Sequence, residues 1–160
     1  MMLLSIMHLI KPSYLYMSRV FKTFDWLLDE MLTVSNHNHA YYSAIDADSE
    51  GVEGAYYVWD IKQLNDVLGL DSKNFIEEYG VKTEGNWENT NILNRINKLS
   101  EKEFDYEKSD KNTNLLKRLL SKRKSRIPPL IDKKILTDSN SMLICGLLRA
   151  FVAFELRYLL

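Results

Sequence analysis

The sequence predicts a mainly α-helical protein that contains one short β-hairpin. Apolar residues recur at helical spacing over residues 13–32, the pattern of a helix that buries one face. The hairpin is indicated by two aromatic, strand-like runs, residues 41–42 and 56–59, which flank an acidic turn. Trp26, Trp59 and Trp87 are expected in the core, and Trp87 is also the tryptophan kept as a candidate for ligand binding.

The first half of the chain supplies local signals for each element. Residues 1–10 are predicted to form an apolar helix that Pro12 ends. Ser13 is the predicted N-cap of a second helix reaching about Leu32, and the polar residues 35–39 are predicted to form a loop. After the hairpin, Asp60 and Gln63 make a capping box that starts a helix ending near Gly69.

The second half continues the helical pattern. A short helix is predicted to end at Gly80, and the polar residues 85–91 to form a loop. A capping box at Ser100 precedes a longer amphipathic helix, which Pro128 breaks. The leucine stripe of that helix is Leu115, Leu116, Leu119 and Leu120. The last helix is predicted over residues 140–160.

Composition is that of a globular protein and excludes several classes. The 160 residues are 46% apolar and 27% charged, with a net charge of −1, so no attraction to nucleic acid or to an anionic membrane is expected. Cys145 is the only cysteine, which excludes an internal disulfide and a cysteine-based zinc site and fits the reducing cytoplasm. No cofactor is expected.

Neither end of the chain is predicted to cross a membrane. Residues 1–10 are too short to span a bilayer, and residues 141–160 contain Arg149, Glu155 and Arg157, each costly in hydrocarbon. Both ends fall inside predicted helices without caps, whereas domain boundaries usually lie in exposed linkers. We therefore expect an incomplete segment of a larger domain, with apolar helix faces that drive self-association.

The acidic turn concentrates chemistry in the predicted hairpin. Four carboxylates fall within eight residues: Asp46, Asp48, Glu50 and Glu53. The segment begins like a calcium loop, but its twelfth position would be Tyr57 instead of the required bidentate Glu, so an EF-hand is excluded and no metal ligand is assigned. Three interpretations stay open: a looser cation site, carboxylates that cap backbone turns, and a substrate-facing role.

Four segments of the chain together resemble one protein family. Residues 41–59 read YYSAIDADSEGVEGAYYVW and resemble the DADSEG-x-EG-x-[FY]-Y-x-W signature of the YyaL-type thioredoxin-domain-containing proteins, which include spermatogenesis-associated protein 20. Three more segments are similar to that family in the same order: residues 23–31 (TFDWLLDEM), 79–93 (YGVKTEGNWENTNIL) and 126–144 (RIPPLIDKKILTDSNSMLI). The resemblance extends over nearly the whole chain.

The resemblance implies a fold and a set of partners. Family members usually carry an N-terminal thioredoxin-like domain followed by an (α/α)6 toroid of the six-hairpin glycosidase type. Residues 1–160 would then be an incomplete segment of the toroid, without the thioredoxin-like domain or its cysteine motif. The expected partners are the missing toroid segments, encoded separately. The alternatives are an interaction module that docks onto such a partner, and a degenerate gene product.

The resemblance also implies candidate residues for glycosidase- or epimerase-like chemistry on carbohydrate-like substrates. Glycosidase-type catalysis needs two carboxylates roughly 5 to 10 Å apart. Asp46 or Asp48 could supply one and Asp132 the other. The candidates for ligand binding are Glu50, Glu53, Trp87, Arg126, Lys134 and Asn140. Arg126 could instead pair with a carboxylate of the acidic turn, since the guanidinium fork matches carboxylates well.

Departures from the family pattern argue against activity. Lys133 stands where the family has a second Asp, and its charge should lower the pKa of Asp132, the wrong direction for a general acid. Ser139 replaces a Trp that would shape the site. Asn89 replaces a Gly, although Asn tolerates the positive φ that such a position can require. We therefore expect the isolated chain to be inactive.

Overall fold

The computed structural model describes residues 1–35, 38–98 and 109–154. The chain divides into two compact units, the first formed by Met1–Ile45 with Ile131–Leu160 and the second by Asp46–Leu130. The described helices are α1 (Met2–Ile10), α2 (Tyr14–Trp26), α3 (Ile61–Leu68), α4 (Ser72–Glu78), α5 (Asp110–Lys124) and α6 (Thr137–Phe154). The described strands are β1 (Leu32–Ser35), β2 (Asn38–Tyr41), β3 (Ala44–Ile45), β4 (Asp48–Ser49), β5 (Val52–Glu53) and β6 (Ile131–Asp132). The predicted mainly helical class is confirmed, and the described residues form small hairpins at β1–β2 and β4–β5.

The first unit is built on α1, which contacts both α2 and α6. Pro12 has no N–H with which to continue α1, and Ser13 takes the predicted N-cap position with an extended backbone. The corner between α1 and α2 is held by His8, because the backbone N–H of Ser13 donates to its Nδ1 at 3.1 Å. A π-helical turn over Leu27–Met31 then extends α2 almost to the predicted end.

A hairpin in the first unit replaces a predicted loop. Strands β1 and β2 pair antiparallel, with Leu32 opposite Tyr41. The prediction of a loop over residues 35–39 is therefore wrong where β2 begins at Asn38, and residues 36–37 lie outside the described part. The sequence does not predict β2 because its side chains are polar. The strand forms because its backbone groups bond to those of β1.

Two other predictions need correction at the helices. Trp26 is 46% exposed on α2, so its expected core position is wrong, and the buried residue of that helix is Val20. Helix α6 begins at Thr137, three residues before the predicted start. Residues 155–160 of the predicted last helix lie outside the described part, as does the capping box at Ser100.

A second short sheet closes the first unit where the chain leaves it and returns. Strand β3 pairs antiparallel with β6, so that Ala44 lies opposite Asp132 and Ile45 opposite Ile131. Asn140 on α6 adds a link to the preceding hairpin: its Oδ1 accepts the N–H of Tyr41 at 2.9 Å, and its Nδ2 donates to the Tyr41 carbonyl at 3.1 Å.

The second unit has an apolar core between α3, α4 and α5. Its buried members are Trp59, Leu64, Leu68, Phe75, Tyr79, Leu115 and Leu119. The burial of Trp59 was expected from the sequence and is confirmed. Phe75 and Tyr79 stack at 4.2 Å, and the Tyr79 hydroxyl donates to Oδ1 of the buried Asn112 at 3.0 Å. The rigid core fixes the loops that surround the candidate site.

Helix α3 starts with the predicted capping box. The Asp60 carboxylate accepts the N–H of Gln63 at 2.7 Å, and Gln63 Oε1 accepts the N–H of Asp60 at 3.4 Å. Gly69, at its C-terminus, and Gly80, after α4, have φ angles of +61° and +60°. Glycine adopts this left-handed conformation without steric cost, which is why it ends both helices.

Candidate functional site

The acidic turn is itself a tight β-hairpin. Strands β4 and β5 pair with Asp48 opposite Glu53 and Ser49 opposite Val52, which leaves Glu50 and Gly51 as the loop. Their φ angles are +56° and +77°, as a type I′ turn requires. The prediction that the two aromatic runs pair as the strands of this hairpin is therefore wrong: Tyr41 belongs to β2, which pairs with β1. The acidic segment itself forms the strands because two residues with positive φ turn the chain sharply.

Asp46 and Asp48, the first two candidate catalytic residues, lie in this segment and are exposed. Oδ1 of Asp46 accepts the backbone N–H of Asp48 at 3.1 Å, which matches the turn-capping interpretation for Asp46. Within residues 1–35, 38–98 and 109–154, no group of three or more His, Cys, Asp or Glu side chains could hold a metal ion.

A second turn with positive φ angles carries Trp87. The backbone groups of Trp87 and Thr90 bond in both directions, at 3.0 and 2.8 Å, so Glu88 and Asn89 form the loop. Their φ angles are +44° and +61°, again the pattern of a type I′ turn. Asn89 thus adopts the conformation that a glycine at this position would favour. Glutamate is much less common there.

Asparagine side chains fix this second turn to the core. Asn91 is buried, and its Oδ1 accepts the N–H of Lys82 at 2.8 Å while its backbone pairs in both directions with buried Trp59. Oδ1 of Asn86 accepts the N–H of Ile92 at 2.9 Å. The predicted polar loop is therefore an ordered support for Trp87, because its asparagines satisfy backbone groups that water would otherwise bind.

The two turns line one cavity of about 570 Å³ in the second unit, here called the hairpin cavity. It brings together four of the predicted binding residues: Glu50, Glu53, Trp87 and Arg126. The side chains that the sequence did not indicate include Tyr56, Asp60, Gln63, Glu88 and Thr90. Asp60 and Gln63 were recognisable as a helix cap, but nothing local shows that the cap also faces a cavity.

Arg126 acts as a clamp on the wall of the hairpin cavity. Its Nη1 donates to the carbonyl oxygens of Ala55, Tyr56 and Val58 at 3.3, 2.9 and 2.8 Å, and its Nη2 donates to Gln63 Oε1 at 3.1 Å. The guanidinium carbon lies 4.2 Å from the centre of a Trp59 ring. Burial, followed by the nearby Arg123 charge, lowers the pKa of Arg126.

The Arg126 contacts differ from the expected pairing with a carboxylate of the acidic turn. Carbonyl oxygens of the segment after the hairpin take the place of that carboxylate. The guanidinium fork suits several carbonyls that converge at one point, and its flat face suits the indole below it. Arg126 therefore holds residues 55–58 in place, and these residues form one wall of the cavity.

Asp132, the third candidate catalytic residue, is exposed in the first unit and held by Lys134. Its Oδ1 accepts the backbone N–H of Lys134 at 3.2 Å, and its Oδ2 lies 3.3 Å from the Lys134 ammonium. These contacts, the backbone hydrogen bond first, lower the pKa of Asp132. The expected direction is confirmed, but the contacting cation is Lys134 instead of Lys133.

The remaining candidates do not join the hairpin cavity. Asp46 and Asp48 belong to the second unit and Asp132 to the first, so neither unit by itself contains the predicted catalytic pair. Lys134 pairs with Asp132, and the Asn140 amide bonds to the backbone of Tyr41 and Leu136. These two side chains are engaged in local structure within the first unit.

The fold and the cavity together define a mainly helical protein whose second unit holds a cavity lined by acidic and aromatic residues. No protein-family model matches the sequence, and no curated protein matches it. Across the part of the chain that the structure describes, no helix combines the length and the apolar character needed to cross a membrane.

Proposed function

We propose that the second unit binds a small, carbohydrate-like molecule in the hairpin cavity and does not transform it. The observation that carries this proposal is the convergence of Trp87 with the carboxylates of Glu50, Glu53 and Glu88 around about 570 Å³ of space. Ligand pockets commonly enclose roughly 300–1,000 Å³. The cavity therefore has the size of one or two sugar rings.

The lining suits such a ligand chemically. A sugar ring presents an apolar C–H face, which an indole such as that of Trp87 can cover, and a rim of hydroxyl groups. Carboxylates accept hydrogen bonds from hydroxyls, and the amide nitrogen of Gln63 can donate to them. The two turns that carry Glu50 and Glu88 are tied by backbone pairs, so the backbone positions from which these side chains extend are fixed before the ligand arrives.

Binding without turnover follows from the candidate catalytic residues. A general acid in a glycosidase needs a raised pKa, whereas the pKa of Asp132 is lowered. Asp46 uses a carboxylate oxygen to hold the turn before the hairpin.

We propose that the chain is a cytoplasmic, incomplete (α/α)6 toroid of the YyaL type. The contacts of α1 with α2 and α6 support helical hairpins of the kind that build a toroid.

Calorimetric titration with neutral mono- and disaccharides tests the binding proposal. We expect saturable heat with at least one of them, lost in Trp87→Ala. The matched control is Trp26→Ala, which removes an indole that is 46% exposed in the first unit and should leave binding unchanged. Absence of binding to every saccharide, or equal loss in both variants, would contradict the proposal.

A second candidate function is docking onto the missing toroid segments or onto another copy of the chain. It is favoured by the apolar side chains that α1 and α6 leave exposed, such as Leu3 (68%), Ile10 (80%), Met142 (67%) and Val152 (61%). A helix that is apolar around its circumference usually lies inside a larger assembly. The first unit would then be the docking part of the protein.

Light scattering across a concentration series tests this second candidate. We expect self-association that weakens in the double variant Ile144→Lys/Leu148→Lys, which charges the exposed face of α6. Ile92→Lys charges a similarly exposed position, at 48%, in the second unit and should have no effect. A monomer at all concentrations would refute self-association, and a wild-type response in the α6 variant would exclude this face.

A further inference from the structure

We infer that the hairpin cavity selects a ligand bearing a positively charged ammonium group over its neutral or acidic counterparts. This inference rests on the proposed binding function and specifies the charge of the ligand. It is carried by three features of the described lining: its carboxylates, the engagement of its guanidinium, and its aromatic walls.

The lining carries an excess of negative charge. Four acidic residues line the cavity, Glu50, Glu53, Asp60 and Glu88, whereas its described lining contains one cationic residue, Arg126. Glu50, Glu53 and Glu88 are themselves exposed. A concave surface with this balance concentrates cations and repels anions, because low-dielectric walls focus the field into the opening.

Arg126 does little to reverse this balance. The Nη1 group faces three carbonyl oxygens at 2.8 to 3.3 Å, and their partial negative charges already offset part of its positive charge. One face of the guanidinium is covered by the Trp59 ring at 4.2 Å. A carboxylate ligand would therefore meet an arginine that is already bound and four carboxylates that oppose it.

Aromatic walls complete the ammonium site. Tyr56 already holds a cation, since the Arg123 guanidinium carbon lies 5.4 Å from its ring centre. Arg123 is outside the cavity lining and already covers the Tyr56 ring, so the aromatic surface left for a ligand is that of Trp87. Trp87 supplies a second aromatic surface inside the cavity, and indole is the strongest cation–π partner among the side chains. A carboxylate attracts an ammonium group, and the neighbouring indole can cover the apolar face of the molecule that carries it.

A matched series of sugars with one ring and three charges tests the inference. Glucosamine, glucose and glucuronate are titrated into the full chain. We expect glucosamine to bind roughly tenfold more tightly than glucose, a typical gain for an ammonium near an aromatic ring and carboxylates, and glucuronate most weakly. The advantage of glucosamine should shrink as ionic strength rises, since the attraction is partly screened.

The double variant Glu50→Gln/Glu88→Gln should weaken glucosamine binding more than glucose binding, so that the roughly tenfold advantage of glucosamine disappears. Asp66→Asn removes an exposed carboxylate from α3, outside the cavity, and should change neither. Equal affinity for glucose and glucosamine would overturn the inference and leave the proposed binding function standing. Failure of all three sugars to bind would overturn both.

Discussion

Gly54 lies directly against the indole of Trp87: a β-carbon at residue 54 would sit 3.0 Å from both Cη2 and Cζ3 of that ring. The acidic hairpin and the asparagine-supported turn therefore meet at a position where a β-carbon would force the Trp87 ring to shift. Gly54 has a φ of +71°, so glycine is required there both by the backbone conformation and by the neighbouring ring.

Gly54→Ala should displace Trp87 and lower the free energy of unfolding by about 2 kcal/mol, from left-handed strain together with overpacking. Gly51→Ala is the matched control. Residue 51 has a similar φ of +77°, but a β-carbon there would meet nothing within 4 Å. Chemical denaturation of the two variants separates the cost of the left-handed backbone, which both share, from the cost of overpacking against Trp87, which only Gly54→Ala has. Equal losses would mean that the contact with Trp87 contributes nothing.

Glu50→Asn should stabilise the hairpin by about 0.5–1 kcal/mol. Glutamate at φ +56° pays a steric cost that asparagine, the preferred residue at the first position of a type I′ turn, largely avoids. Glu50→Val should shift stability in the opposite direction, because a β-branched residue tolerates positive φ poorly. The urea midpoints of both variants measure these changes. A change in stability of the same sign in both variants would rule out strain at positive φ as the cause.

Arg126→Lys should destabilise the second unit by about 2 kcal/mol, since an ammonium cannot donate to three carbonyls and Gln63 while stacking on Trp59. Near-ultraviolet circular dichroism should also change, because Trp59 loses a neighbour. Lys122→Ala, at an exposed position on α5, should leave thermal unfolding within about 0.5 kcal/mol of the original. Unchanged stability in Arg126→Lys would contradict the clamp.

The pKa of Asp132 should lie below the ordinary value for aspartate, first because the backbone N–H of Lys134 donates to its carboxylate and then because the Lys134 ammonium does so. A folded-state pKa below the unfolded value means that the contribution of this group to stability is present above the unfolded pKa. That contribution is lost as pH falls through the folded pKa. Lys134→Ala removes the ammonium but keeps the backbone hydrogen bond, so it should move the pKa of Asp132 part of the way upward, whereas Lys133→Ala should leave it in place. Carboxyl carbon NMR shifts read this directly, and an effect of Lys133→Ala equal to that of Lys134→Ala would refute the assignment.

The sequence predicts those features whose physical cause lies within a few residues. The capping box of Asp60 and Gln63 spans three residues, and the glycine after a helix is similarly local. The hairpin cavity depends on contacts between distant segments, such as the Arg126 bond to Ala55, 71 residues away. Glu88 lines the cavity because residues 88 and 89 both adopt positive φ. The sequence predicted that conformation only as one that Asn89 tolerates. Trp26 shows the same limit, since an aromatic residue does not reveal which helix face is covered.

The pairing of β3 with β6 gives the second unit the properties of an insert. The backbone N–H of Asp46 donates to the carbonyl of Leu130 at 2.8 Å, so this unit begins and ends at one point. A two-residue turn between Ile45 and Ile131 would rejoin the first unit as a simple hairpin and keep its strand register. The second unit, which carries the cavity, could therefore be replaced by another insert, in evolution or by design, while the helices of the first unit are kept.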